Sequence, residues 1–364
     1  MSAPADFYYD DKEIHMVSIG IVGLGFMGMT HYRGIAKVRG AKVGAICTRD
    51  ERKLKGDWRG IGGNFGSPGS QEDLTGIKTY AQFDDLISDP GIDLVNICLP
   101  TDQHCEAAIR AMRAGKHVLV EKPIALSLKD ADRMVRVSKQ TDRLLMIAHV
   151  LPFFPEFAYL HDAVQRGEYG GVKGAHFKRV ISSPDWSKGL GNMARSGGPG
   201  VDLHIHDTHF IMLLFGKPDR VKSDGRLVDD RYAEYVMTSY QYSDKPNLCI
   251  TCASGAISQK GRSFAHGFEV YMDRATIVFE FATLGGKPHE TMPLTLLSSD
   301  GKQHHPRLGS GDPVEAFTRE IQAAVDSVRS GTVHAALSAQ NAANALRLCF
   351  REVASVRTRK AARV

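Results

Sequence analysis

The 364-residue sequence predicts a doubly wound Rossmann α/β domain with a parallel sheet over 1–148. An α+β domain with a large, mostly antiparallel open sheet follows over 149–310, and C-terminal helices over 311–364 are expected to pack back onto this body. Three observations predict this. Gly23-Leu-Gly-Phe-Met-Gly28 directly follows the apolar run Val17–Val22. Short, non-alternating apolar runs then alternate with helical patterns as far as Ala148, which indicates a parallel sheet covered on both faces. Past Pro152 strand follows strand with turn signals between, the texture of an antiparallel sheet.

The first domain reads in order. Val17–Val22 is a buried strand, and a helix runs from the glycines to about Val38. Ala41–Cys47 is the second strand, and Phe83–Ile87 is a short helix. Asp93–Leu99 is a strand stopped by Pro100, and Asp102 is expected to cap a helix ending at Gly115. Val118–Val120 starts another strand. Ser127 and Asp130 form a capping-box-like start to a helix with Leu128, Ala131, Met134 and Val135 on one face, and Leu144–Ala148 closes the series. Gly56–Gly76 breaks the rhythm with seven glycines. It reads as a solvated surface insertion, with a lid or subunit contact as the alternative.

In the second domain Val172–Ile181, Arg220–Val228, Tyr232–Gln241, Leu248–Ser254, Phe268–Met272, Thr276–Phe281 and Met292–Leu297 read as strands, interrupted by one helix near Val201–Phe215. Asp312-Pro313-Val-Glu315 starts a helix with Phe317, Ile321, Ala324, Val325 and Val328 on one face, and a second helix covers about Leu337–Val353.

Composition excludes several classes. Apolar residues at 43% and charged residues at 24% are those of an ordinary globular protein. No apolar run approaches the ~18 residues of a membrane span. A net charge of +5 is mild, and no basic stripe carries interleaved aromatics, so no nucleic-acid partner is expected. Arg357, Arg359, Lys360 and Arg363 read as a solvated tail. Six cysteines are too few for a disulfide scaffold. Cys249 and Cys252, three apart in a strand, should face opposite ways, so no metal site is expected there. The acidic N-terminus MSAPADFYYDDKE lacks an apolar signal-type stretch, so a cytoplasmic setting is expected.

The glycine fingerprint has the context a dinucleotide site requires. Gly23 permits the tight turn, Gly25 lets the backbone approach a pyrophosphate, and Gly28 lets helix and strand pack closely. The helix N-terminus then favours phosphate charge. Phe26 and Met27 lie within the same loop. An acid about 20 residues past the fingerprint would read an unphosphorylated ribose. Thr48 and Arg49 stand there instead, which suits NADP better than NAD, although Asp50 would restore NAD binding if the turn were longer.

A second constellation bears chemistry. Glu121-Lys122-Pro123 ends a strand, and Asp202 and His206 share a helix face four residues apart, after Gly197-Gly-Pro-Gly200. A lysine, an aspartate and a histidine can support proton transfer beside a hydride acceptor. His204, two positions from His206, should point away from it. His209 could face the same way as His206, yet no metal is expected. Trp186 and Arg195 lie in a predicted loop.

With these motifs the sequence resembles the Gfo/Idh/MocA family, which includes glucose–fructose oxidoreductase and inositol dehydrogenase. The pieces are GLGFMG at 23–28, DLVNICLPTDQH at 93–104, AGKHVLVEKP at 114–123, GGPGVDLHIHD at 197–207 and FTREIQAAVDSVRSG at 317–331. The resemblance implies Lys122, Asp202 and His206 as the catalytic group. It also implies Leu99, Pro100, His104 and Glu121 as contacts on the nicotinamide side. Many relatives carry Arg-Phe after the last Rossmann strand; this chain reads Ala148-His149-Val-Leu-Pro152-Phe153, leaving His149 as a candidate substrate contact. The implied activity is NAD(P)-dependent hydride transfer at a hydroxyl or keto carbon of a small carbohydrate-type substrate, by a homo-oligomer, dimer or tetramer. Two alternatives stand beside it. One is a redox-neutral enzyme with tightly held cofactor, cleaving or epimerising glycosides. The other is a cofactor-sensing regulator, which the presence of all three catalytic-type residues disfavours.

Overall fold

The computed structural model describes residues 16–63, 66–182, 192–309 and 312–364; Trp186 lies outside them. Strands β1 (Val17–Val22), β2 (Ala41–Cys47), β3 (Lys78–Tyr80), β4 (Leu94–Ile97), β5 (His117–Glu121) and β6 (Leu145–Ala148) form a parallel sheet in the order β3-β2-β1-β4-β5-β6. β1, β4 and β6 are buried along their whole length, as expected of strands covered on both faces. The strand order reverses beside β1, between β1 and β4, which opens a crevice at the carboxyl ends of the strands.

The second sheet has nine strands: β7 (Val172–Ser182), β8 (Arg220–Val228), β9 (Tyr232–Gln241), β10 (Cys249–Ile257), β11 (Arg262–Met272), β12 (Ala275–Leu284), β13 (Lys287–Ser298), β14 (Gln303–His304) and β15 (Ala362–Arg363). All neighbours are antiparallel except β7 and β10. Its inner face, with Phe177, Tyr240, Ile250, Phe268, Val270 and Phe279, packs on helices Pro155–Gln165 and Ile205–Phe215 in one apolar core. Cys249 is exposed and Cys252 buried, as strand alternation requires.

Four sequence readings change. Helix Pro155–Gln165 was not anticipated, although Pro155 at its first position and buried Phe157, Leu160 and Ala163 carry its signal. Asp102 does not cap a helix: a 3₁₀ turn, Thr101–Gln103, precedes helix His104–Arg113, and Asp102 pairs instead with Arg195 at 2.9 and 3.2 Å. The basic tail is not free, because Ala362–Arg363 adds β15 to the sheet edge beside β8. The glycine-rich segment is anchored, not merely solvated. Trp58 is fully buried, its Nε1 donates to the Lys53 carbonyl at 2.9 Å, and its ring meets Tyr32 edge-on at 4.6 Å.

The two C-terminal helices do pack back. Val314–Ser330 lies against helix Phe26–Ile35, and Ala339–Thr358 lies against β8 and helix Ile205–Phe215. Each buries a glutamate completely, Glu320 and Glu352.

Candidate active site

The crevice is a cleft of about 950 Å³ bordered by both sheets. Its N-terminal wall is the glycine turn. Gly23 has φ of +92°, and a Cβ there would lie 2.7 Å from the Cys98 carbonyl oxygen. A Cβ on Gly28 would lie 2.0 Å from the Gly23 carbonyl oxygen, so strand and helix meet only because that side chain is absent. A Cβ on Gly25 would meet nothing within 4 Å. That open space is the cradle a pyrophosphate needs, and the residues present therefore fit a dinucleotide. Phe26, Met27, Leu99, Pro100 and Glu121 line the same cleft.

At the ribose end, Thr48, Arg49, Asp50 and Lys53 line the cleft. Asp50 is already engaged: its Oδ1 accepts the Arg52 N–H at 3.0 Å and caps the short helix Glu51–Leu54. Thr48 Oγ1 accepts the Asp50 N–H at 3.3 Å. Lys53 Nζ donates to the Leu24 carbonyl at 2.6 Å, and Arg49 is exposed at the rim.

At the other end, Lys122 follows β5 and Asp202 ends the short helix Pro199–Asp202. The single helix expected to carry Asp202 and His206 on one face is broken at Leu203 and His204, so the two come from separate helices. Lys122 Nζ donates to Asp202 Oδ1 at 2.9 Å and to the Asp202 carbonyl at 2.7 Å. His206 lines the cleft beside them. Desolvation, then the charges of Lys122 and Arg179, hold its imidazole well below the ordinary value of 6.5. His206 is therefore neutral at physiological pH, with a lone pair able to accept a proton.

His104 and His149 are placed differently. His104 is buried behind the wall; its Nδ1 lies 2.9 Å from the Pro123 carbonyl and its Nε2 2.8 Å from the Leu99 carbonyl. It ties together the loop before helix His104–Arg113 and the loop carrying Lys122. His149 stacks face to face on His209, with centroids 3.9 Å apart and planes 9° apart. Ala148 and Val150, not His149, line the cleft at that point. Burial holds His149 well below 6.5 and His209 at about 3.

Sequence reasoning missed Arg179. It lines the cleft, is only 4% exposed, and bonds both oxygens of Asp207. Strand alternation carried the signal, since Phe177 faces the core and Arg179 is two residues on. Two buried networks were also missed. His31 Nε2 pairs with Glu121 Oε1 at 2.9 Å and lies 3.8 Å from Glu320, while Asn96 Nδ2 meets His31 Nδ1 at 2.8 Å. His204 Nε2 pairs with Glu352 at 3.1 Å and its Nδ1 meets Ser254 Oγ at 2.8 Å. His204 points away from His206, as their spacing requires. Each network ties a segment of the cleft to a C-terminal helix.

Comparison with known proteins agrees with this architecture. Residues 17–149 match the oxidoreductase family with NAD-binding Rossmann fold, and residues 157–278 match the GFO/IDH/MocA C-terminal domain. The chain is 31% identical over 213 residues to myo-inositol 2-dehydrogenase of Thermotoga maritima, covering 58% of this chain and 59% of that one. The match therefore spans less than two thirds of that relative's length. It is 27% identical over 323 residues to scyllo-inositol 2-dehydrogenase (NAD(+)) of Bacillus subtilis, covering 87% of each. Its fold is like that of aldose-aldose oxidoreductase from Caulobacter crescentus, crystallised with glycerol, at a TM-score of 0.77 and 20% identity over 96% of this chain and 99% of that one. With both of the family's domains matched in order along it, the chain belongs to the Gfo/Idh/MocA oxidoreductase family.

Proposed function

We propose that this protein is an oxidoreductase that prefers NADP and moves a hydride between nicotinamide and a secondary carbinol carbon of a sugar, polyol or glycoside. The observation that carries this reading is the meeting of Lys122, Asp202 and His206 in the same cleft as the glycine cradle. The names of the two inositol dehydrogenases support the substrate class.

The bound nicotinamide supplies the hydride acceptor, or the donor in reverse. The chain's residues handle the proton and the charge. Lys122 donates to the reacting oxygen and stabilises negative charge there as the O–H bond breaks. Neutral His206 accepts that proton at a ring nitrogen. Asp202 holds the ammonium in place through two hydrogen bonds.

Arg49 and Lys53 at the ribose rim, with Asp50 committed to its helix cap, support the NADP preference: guanidinium pairs with phosphate through charge-assisted bonds. The test is titration of the protein with NADP+ and NAD+, then assay of a panel of sugars, polyols and glycosides by the absorbance of reduced nicotinamide. Arg49→Ala should weaken NADP+ by roughly 10–100-fold, the loss of one charged hydrogen bond, and barely change NAD+. Equal effects on both cofactors would remove Arg49 from phosphate recognition.

We also propose that a second copy covers the outer sheet face. Met237, Ala253, Lys178, Gly267, Glu280 and Met292 form one row across β9, β10, β7, β11, β12 and β13. Met237 and Met292, with Tyr271 and Leu297 on the same face, are 57%, 44%, 37% and 42% exposed. Lys178 and Glu280 pair within that row. Sedimentation should show a dimer or tetramer that Met237→Lys with Leu297→Lys dissociates; a wild-type monomer at micromolar concentration would exclude it.

A further inference from the structure

Among the described residues, the lining beyond the reacting group is chiefly apolar and aromatic, with Gln103, Arg179 and Ser196 as its polar members, and this bears on what the cleft binds. We infer that the preferred substrate is a sugar carrying an aromatic substituent, of the aryl glycoside class, and not a free polyol. The inference rests on the reading of Lys122, Asp202 and His206 as the reacting centre.

Leu151, Phe154, Ile181, Ala256, Phe264 and Phe317 line this end. The rings form a continuous wall. Phe154 meets Phe317 edge-on at 6.3 Å, Phe154 meets His266 at 6.1 Å, and His266 meets Phe264 at 5.1 Å. The wall's charged side chain is spent on the protein. Arg179 Nε and Nη2 bond Asp207 at 2.8 and 3.0 Å, its Nη1 faces His266 Nδ1 at 3.3 Å, and its guanidinium lies 5.9 Å over the Phe264 ring. Ser196, also in the lining, donates to the Asn192 carbonyl and accepts the Gly198 N–H.

A free hexose brings five hydroxyls here and a cyclitol six, whereas an aryl hexoside keeps four and carries a ring in place of the anomeric one. Among the described residues, Lys122, Asp202 and His206 can serve the reacting hydroxyl and a neighbour, and Gln103 one more. Each further hydroxyl desolvated without a partner costs about 1–3 kcal/mol. An aryl group loses nothing in the same place. It buries apolar area at ~25 cal/mol per Å² and gains edge or offset contacts with the ring wall worth ~0.5–1.5 kcal/mol per pair.

The test compares matched substrates with NADP+: phenyl and methyl glucoside, glucose and myo-inositol. Phenyl glucoside should exceed methyl glucoside and the free polyols in kcat/KM by about tenfold, the scale of one aromatic contact plus its buried area, chiefly through KM. Phe264→Ala and Phe154→Ala should bring the ratio towards parity. Phe264→Leu, which keeps an apolar side chain but no ring, should do so in part and guards against a folding defect. A free polyol equal to or better than the phenyl glucoside, or a preference untouched by these substitutions, would overturn the inference and leave the proposed function standing. If nothing turns over, the proposed reacting centre fails, and calorimetry with cofactor-loaded protein still decides the wall: tighter binding of phenyl than methyl glucoside supports it, and equal binding overturns it.

Discussion

Arg179 grips both carboxylate oxygens of Asp207, at 2.8 and 3.0 Å, one residue before which in the chain stands His206. The pair is almost wholly buried, at 5% and 1% side-chain exposure. Burying two charges rarely adds net stability. The pair instead fixes the start of helix Ile205–Phe215 against β7, and so the aim of His206. Arg179→Gln should cost about 3–5 kcal/mol by leaving a buried carboxylate unpaired. Arg179→Met with Asp207→Leu should recover most stability in denaturant titrations without recovering turnover. Recovery of both would deny the pair a positioning role.

His206 carries a pH prediction. Burial and the positive charges of Lys122 and Arg179 disfavour imidazolium, so its pKa lies well below 6.5. In a titration followed by NMR, the His206 ring should stay neutral through pH 6.5, and Lys122→Met should move its midpoint upward. A wild-type midpoint near 6.5 would contradict the electrostatics of the cleft.

Removal of either proposed reacting side chain should be costly. Lys122→Ala and His206→Ala should each reduce turnover by the ~10²–10⁴ typical of general acid–base groups. Asp202→Asn should cost less than Lys122→Ala, because the Asp202 carbonyl still holds the ammonium at 2.7 Å. Unchanged kcat in either alanine variant would exclude that residue from the reaction.

The fingerprint glycines should fail in different ways. Gly28→Ala drives a Cβ to 2.0 Å from the Gly23 carbonyl and should lower the melting temperature. Gly25→Ala adds a methyl to open space, where it meets no protein atom within 4 Å. Its melting temperature should hold while cofactor affinity falls. Equal affinity for Gly25→Ala and wild type would mean the backbone does not approach the pyrophosphate.

Glu320 links stability to pH. Burial, opposed by His31 and reinforced by Glu121, raises its pKa from 4.5 to about 8. A folded pKa above the unfolded one contributes stability fully present below pH 4.5 and lost as pH rises through about 8. Glu320→Gln mimics the neutral acid. The stability difference between variant and wild type should therefore shift in the variant's favour from pH 5 to pH 9 in urea titrations. A constant difference would show that Glu320 does not titrate in that interval.

Much of the site was legible because its signals are local. A strand followed by three spaced glycines and a lysine at a strand end each state a backbone demand within a few positions, whereas Asp202 and His206 meet without the shared helix that their spacing suggested. Ser127 is a small case: its Oγ accepts the Asp130 N–H at 3.1 Å, as its spacing indicated. Asp102 is the counter-case, since a distant cation, Arg195, took the carboxylate a local cap would have used.

What the amino-acid order determined by itself is therefore the pair of sheets, parallel then mostly antiparallel, the tight glycine turn after β1 and the choice of Lys122, Asp202 and His206 as candidates. Tertiary structure alone decided that Arg179 would spend its charge on Asp207, that Glu320 and Glu352 would sink beside His31 and His204, that His149 would stack on His209, and that Phe154, Phe264 and Phe317 would build one wall. The physical reason is that hydrogen-bond and glycine requirements act between near neighbours in the chain. The cost of burying a charge or a ring is set by whichever distant element packs against it.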